Sequence, residues 1–296
     1  MGGRRHALAV AVLIYLGVAG LFVVFVWSTV GEGGASLGVF GGRVAIVELE
    51  GIILEVDDLV RDLKSYRDNP SVRAVVVRIN SPGGVVGPTQ EVHEALLKLR
   101  EAGKPVVASL GSLAASGGYY IAVAADRIYA NPGTLTGSIG VIMQMPNVDG
   151  LLKKVGVDYV VIKAGEYKDL GNFARPMRPD ERQVLQALLD DVHGQFIDAV
   201  AAGSKLQRAQ VVRFADGRIF SGAQAKSLSM VDALGSLEDA VNAAGTLAGL
   251  KVPPKIIAPR RRSSIVNLLR SQLGLSAGAL LAPRLPVFQT PLYLMP

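Results

Sequence analysis

Residues 73–84 read Arg-Ala-Val-Val-Val-Arg-Ile-Asn-Ser-Pro-Gly-Gly, and this stretch decides the fold class. Ala74-Val75-Val76-Val77 is an unbroken, largely β-branched apolar run, the pattern of a strand whose two faces are both covered. Ser81-Pro82-Gly83-Gly84 supplies the turn that ends it. Outward from there the theme repeats. Arg43–Leu49 (RVAIVEL) and Lys104–Leu110 (KPVVASL) are further short strands, while Val56–Tyr66 and Thr89–Ala102 have helical spacing. Strand, helix, strand, helix, strand predicts an α/β domain with a largely parallel sheet and flanking helices. Arg127–Ala130, Val141–Met143 and Asp158–Lys163 (DYVVIK) are additional strand candidates, and the chain from Pro179 to Gly203 reads as one long helix. This domain is expected over residues 43–252, followed by a proline- and arginine-dotted tail over 253–296, with one amphipathic stretch around Ser264–Leu273.

The N-terminus has a different texture. Ala7 to Val30 carries no charge and is rich in Val, Leu, Ala and Phe, long enough to span a membrane as a helix. Arg4 and Arg5 precede the run and Glu32 follows it, which predicts a cytoplasmic N-terminus and an extracytoplasmic domain. A cleaved signal peptide is the competing reading, but this run is long and ends in the bulky Phe25-Val26-Trp27, which favours an uncleaved, single-pass anchor. Residues 31–42 (GEGGASLGVFGG) then read as a flexible tether.

Composition narrows the chemistry. Half of the 296 residues are hydrophobic, and mean hydropathy is +0.35. There is no cysteine, which excludes thiol proteases, iron–sulfur clusters and Cys-based zinc sites. A net charge of +6 is dispersed apart from Arg4-Arg5 and Arg260-Arg261-Arg262, so it suits an anionic lipid surface better than nucleic acid. No metal motif is present and no cofactor is expected.

The segment that stands out is residues 111–120, Gly-Ser-Leu-Ala-Ala-Ser-Gly-Gly-Tyr-Tyr, between a strand and an apparent helix. Ser116, flanked by Ala and Gly, leaves room for a carbonyl to approach its hydroxyl, and the helix start behind it offers free N–H groups to an oxyanion. A plain tight turn with Ser116 as N-cap remains the alternative. Gly83-Gly84 lets backbone amides face a ligand, or is simply a type II turn. His6 lies on the flank of the expected anchor, and His93 and His193 fall within helical patterns where a solvated surface role is expected, so a Ser-His-Asp triad is poorly supported. A lysine kept neutral by burial can replace histidine. Lys168, in Gly165-Glu166-Tyr167-Lys168-Asp169, is a candidate, Lys163 is its local rival, and spacing leaves the choice open.

Five landmarks in order carry a family resemblance: residues 81–84 (SPGG), 115–122 (ASGGYYIA), 136–141 (TGSIGV), 165–168 (GEYK) and 217–222 (GRIFSG). Together, from about Val44 to Leu250, the chain resembles the signal peptide peptidase A family of Ser-Lys proteases, on the Clp-protease/crotonase fold. The resemblance implies Ser116 as nucleophile, Lys168 as general base, Ser138 as a hydroxyl holding the lysine amine, and the amides of Gly83 and Gly117 as an oxyanion hole. It implies a homo-oligomeric ring that degrades hydrophobic peptides, remnant signal peptides among them. Asp169-Leu170-Gly171-Asn172-Phe173 departs from the small-residue stretch expected after the lysine. A catalytically silent membrane scaffold and an acyl-CoA enzyme are the competing functions. The apolar end of the chain, Pro286–Pro296 (PVFQTPLYLMP), is either a plain tail or a self-inhibitory peptide lying in a substrate groove.

Overall fold

The computed structural model describes residues 42–259 and the backbone of Leu292–Leu294. The expected anchor, nearly all of the tether and the amphipathic stretch near Ser264 lie outside the described residues. Among the described residues no helix is long and apolar enough to cross a membrane.

The opening half alternates as the sequence predicts: β1 (Arg43–Glu50), α1 (Asp57–Asp68), β2 (Val72–Ser81), β3 (Gly83–Val85), α2 (Val86–Glu101) and β4 (Val106–Ala115). Then follow α3 (Gly117–Ala122), β5 (Arg127–Ala130), β6 (Leu135–Gly137), α4 (Asp149–Val155) and the long α5 (Pro179–Ser204). The last elements are α6 (Arg208–Val212), β7 (Ile219–Ser221), α7 (Gly222–Ser227), β8 (Ala233–Leu234), α8 (Leu237–Leu247), β9 (Ile256–Ile257) and β10 (Leu292–Leu294).

β1, β2 and β4 form the parallel centre of the main sheet. β9 pairs in parallel with β1, and β5 in parallel with the first half of β4. The second half of β4 instead pairs with β6, which carries the antiparallel β7. The central strands are covered on both faces, as their apolar runs predict. Val75 and Val77 face a core that includes Leu63, Leu96 and Ile121. Val44, Ile46, Ala74, Val76 and Val107 face the opposite layer, closed by Ala240 and Ala244 of α8. Each fully buried Val or Ile side chain contributes about 1.5–3 kcal/mol, so these strands are the rigid platform of the molecule.

Three expectations differ from the structure. β4 does not stop at Leu110 but runs on through Ala115, because Leu113–Ala115 finds a partner in Leu135–Gly137. Asp158–Lys163 forms no strand, and Val141–Met143 forms none either. Asp158–Lys163 is exposed throughout, with Val160 at 80% and Ile162 at 96% exposure, so its β-forming side chains meet no sheet edge within this protomer.

Candidate active site

The extension of β4 positions Ser116. Parallel pairing of Ala115 with Gly137 brings the ends of β4 and β6 to the same level, so Ser116 and Ser138 leave the sheet side by side. The Ser116 amide donates to the Gly137 carbonyl at 2.8 Å, and the Ser116 carbonyl accepts from the Tyr120 amide at 2.8 Å. Both serines hold φ = 52°, a backbone region that costs a non-glycine residue about 1–3 kcal/mol and clusters at functional turns. Ser116 is 1% exposed, and its Oγ has no hydrogen-bond partner among the described residues. A buried hydroxyl left unpaired is itself a cost, about 1–3 kcal/mol.

Glycine is required around it on steric grounds. A Cβ on Gly117 would lie 2.9 Å from Thr89 Oγ1 and 3.2 Å from the Gly84 nitrogen, so the Ser116 turn and the Gly83-Gly84 strand touch backbone to backbone. Tyr119 locks the helix start from behind: its hydroxyl donates to the Met230 carbonyl at 2.8 Å, and burial pushes the phenol well above its usual pKa. Ser138, 5% exposed, donates its amide to the Arg218 carbonyl at 2.8 Å, which ties the residues 217–222 landmark to the site.

Gly83, expected to lend its amide to an oxyanion, is bonded within the fold. Its amide is already used, donating to Ser81 Oγ at 3.1 Å. Its carbonyl accepts from Ile53, and the Val85 amide donates back to Ile53. Strand alternation therefore turns the amide groups of Gly84 to the opposite edge of β3. There β10 lies antiparallel, with Leu292 opposite Val85, Tyr293 opposite Gly84 and Leu294 opposite Gly83. The backbone of β10 also runs beside α3, the helix that Ser116 caps.

Lys168 makes no hydrogen bond to Ser116 Oγ in this structure. It is exposed, in a turn where its amide donates to the Gly165 carbonyl at 3.3 Å. Among the described residues its ammonium joins no hydrogen bond or ion pair. Its rival Lys163 is occupied by the Asp169 carboxylate and by the Glu166 carbonyl at 2.7 Å. Asp169 also accepts from Arg175 Nε at 2.9 Å, and Arg175 Nη1 reaches Glu181 at 2.9 Å. These ties had no signal in a single-residue motif. A trace of them shows in the density of charge over residues 163–181 and in Glu181 placed three positions after Arg178, a capping-box spacing.

The histidines differ from expectation as well. His93 stacks on Tyr120 with ring centroids 4.9 Å apart, and burial lowers its pKa to about 4. His193 Nε2 is buried without a partner among the described residues. Neither is a solvated surface group.

A buried serine thus sits on a strained strand-to-helix turn close to the backbone of Gly83-Gly84. Residues 98–251 match the family model described as peptidase family S49, and the chain belongs to that family. It is similar to a candidate protease of Synechocystis sp., at 48% identity over 72% of this chain and 77% of that protein. It is similar also to the chloroplastic serine protease SPPA of Arabidopsis thaliana, at 32% identity over 75% of this chain. The chain spans 35% of the length of that relative. Among solved structures it resembles ClpP1 of Listeria monocytogenes, with a TM-score of 0.46 at 17% identity, over 66% of this chain and 94% of that one.

Proposed function

We propose that the chain is a membrane-anchored serine endopeptidase of hydrophobic peptides, remnant signal peptides among them, working on the extracytoplasmic face. The observation that carries the reading is Ser116: a buried Oγ with no partner, on a strained turn whose Gly117 touches Gly84. Nothing in packing or capping repays that arrangement, whereas a nucleophile waiting for a base and a carbonyl explains it.

In this mechanism Ser116 Oγ attacks the peptide carbonyl while its proton passes to the amine of Lys168. The amides of Gly84 and Gly117 stabilise the oxyanion. The tetrahedral intermediate then collapses, the C–N bond breaks, and the proton on Lys168 goes to the leaving amine. Water, deprotonated by the same lysine, hydrolyses the ester. Ser138, leaving the sheet next to Ser116, holds the amine in line. Oxygen-rich, metal-free acyl transfer of this type needs no cofactor.

Lys168 comes from a neighbouring copy in a ring. Three observations support this: among the described residues the lysine is exposed and unpaired, the Ser116 hydroxyl is unpaired, and Asp158–Lys163 presents bare apolar side chains in a stretch without regular structure just before the lysine. The substrate lies as an added strand on the open edge of β3, where β10 now runs, so the C-terminal tail is read as a self-inhibitory peptide in the substrate's place.

Mixing two inactive variants tests the core of the reading. Ser116→Ala and Lys168→Ala, each without activity on a fluorogenic hydrophobic peptide, should regain part of it when co-assembled in detergent. Activity retained by either variant alone overturns the dyad. Two inactive variants that stay inactive after co-assembly place the lysine in the same chain as its serine. A wild type without activity favours the scaffold.

A further inference from the structure

The charges around Lys168 converge on its immediate neighbour. Asp169 accepts from Arg175 Nε at 2.9 Å and from Lys163. Arg175 continues to Glu181 as a fork: Nη1 donates to one carboxylate oxygen at 2.9 Å and Nη2 to the other. Glu181 accepts in addition from the Arg178 amide at 2.9 Å, at the start of α5. The Glu181 side chain has no exposure at all, while Arg175 keeps 28% and Asp169 11%. The other charged groups facing this cluster are Glu166, whose carboxylate lies 3.8 Å from Arg178, and Asp180, 3.1 Å from the same guanidinium.

A buried carboxylate is a poor investment in stability. Its desolvation offsets most of what the guanidinium returns, and well-packed apolar side chains often do as well. A bidentate fork does fix direction, because both nitrogens must meet both oxygens in one plane. Here the fork fastens the turn to the first residues of α5, itself anchored in the core through Phe196 and Val200. The grip ends on Asp169, one residue from Lys168, whose ammonium sits on a flexible four-carbon stem.

We propose that Arg175, seated on Glu181 and gripping Asp169, is a positioning residue that presents Lys168 to Ser116 in a single orientation. Occupation of Asp169 by Arg175 and Lys163 also keeps the nearest carboxylate from pairing with Lys168 itself. The inference rests on the Ser-Lys reading. It accounts for the departure after the lysine, since Asp169 is a partner for Arg175 and Gly171, at φ = 81°, lets the chain turn back towards it. An exposed lysine that must meet a site on another surface gains most from such a mount, because a displacement of about 1 Å at the reacting atoms costs about 100-fold in rate.

The test uses the full-length protein in detergent and a fluorogenic apolar peptide. Arg175→Met should lower kcat about 100-fold with KM nearly unchanged, and Arg175→Lys should recover part of the loss. Arg208→Gln, which breaks only the exposed pair with Asp198, serves as the control and should be as active as wild type. The decisive comparison is made in the Lys168→Ala background, where Arg175→Met should cost nothing more in the residual labelling of Ser116 by a fluorophosphonate. An equal further loss in that background, or an unchanged kcat in Arg175→Met, overturns the inference. If Arg175→Met fails to fold, Asp169→Asn, which keeps the shape and removes the charge, is held to the same two criteria. Should Lys168→Ala alone keep wild-type activity, the Ser-Lys reading fails instead, and the two failures are told apart.

Discussion

The Ser116 turn and the Lys168 segment are built by opposite means. The turn is made by the main chain: strand register, a helix start and glycines too close to other backbone to be anything else. It is buried, and nothing about it can shift without moving the sheet. The lysine segment is made by side chains. It is exposed, follows a stretch with no regular structure, and is fastened by ionic bonds to one helix. In the proposed mechanism the nucleophile is fixed by the fold, whereas the base is delivered to it, so the two halves should fail in different ways.

The largest effect expected is at the turn. Ser116→Ala should reduce kcat/KM by about 10⁴-fold or more. The same change should leave stability equal or raise it by about 1 kcal/mol, because it removes a buried hydroxyl without a partner. Urea unfolding of the variant reads this directly, and a marked loss of stability would mean that the hydroxyl is structural. Next in size is the tail. Deletion of residues after Arg284 should raise activity severalfold at low substrate and leave kcat alone, since the tail competes with substrate for β3. Unchanged kinetics would remove the tail from the site.

The smallest effects separate the two regions by pH. His93, on the Ser116 side, has its pKa lowered to about 4, mainly by burial, with Arg100 lowering it and Glu94 opposing. The native state thus binds fewer protons than the unfolded chain between about pH 6.5 and 4. Stability on this account is complete above pH 6.5 and declines as pH falls towards 4, and His93→Gln should abolish that decline. Glu181, on the lysine side, is held down to about 2, first of all by the Arg175 hydrogen bonds. Its contribution is complete above about 4.5 and is lost only as pH falls through 2. Denaturant midpoints at pH 7, 5.5 and 4.5 therefore sample the first loss before the second begins. A His93→Gln protein with an unchanged slope would refute the assignment.

What sequence could and could not say follows the same division. The central strands were legible because continuous apolar runs have one interpretation in a covered sheet, and Ser116 was legible because a strand, small residues and a helix start converge there. The second half of β4 was not, since Gly111–Ala115 reads as a turn until β6 supplies a partner. Asp158–Lys163 has every local mark of a strand and forms none, because a strand also needs a partner and, among the described residues, this segment pairs with no sheet edge. That the Gly83 amide is bonded to Ser81 while the amide groups of Gly84 face β10 is a matter of pairing with Ile53 rather than of composition. Arg175 and Glu181 escaped notice because their partners are set by the path of the chain between them.

β3 is three residues long, paired with Ile53 on one side and with β10 of the C-terminal tail on the other. In the proposed mechanism a guest takes the place of β10, as a single extended thread antiparallel to Gly83–Val85. Such a slot sorts by shape before it sorts by sequence. Mature proteins, whose chains are already committed to their own sheets and helices, present nothing that fits, while loose apolar fragments do. On the proposed mechanism, the same three residues that serve the reaction also decide what the enzyme leaves untouched.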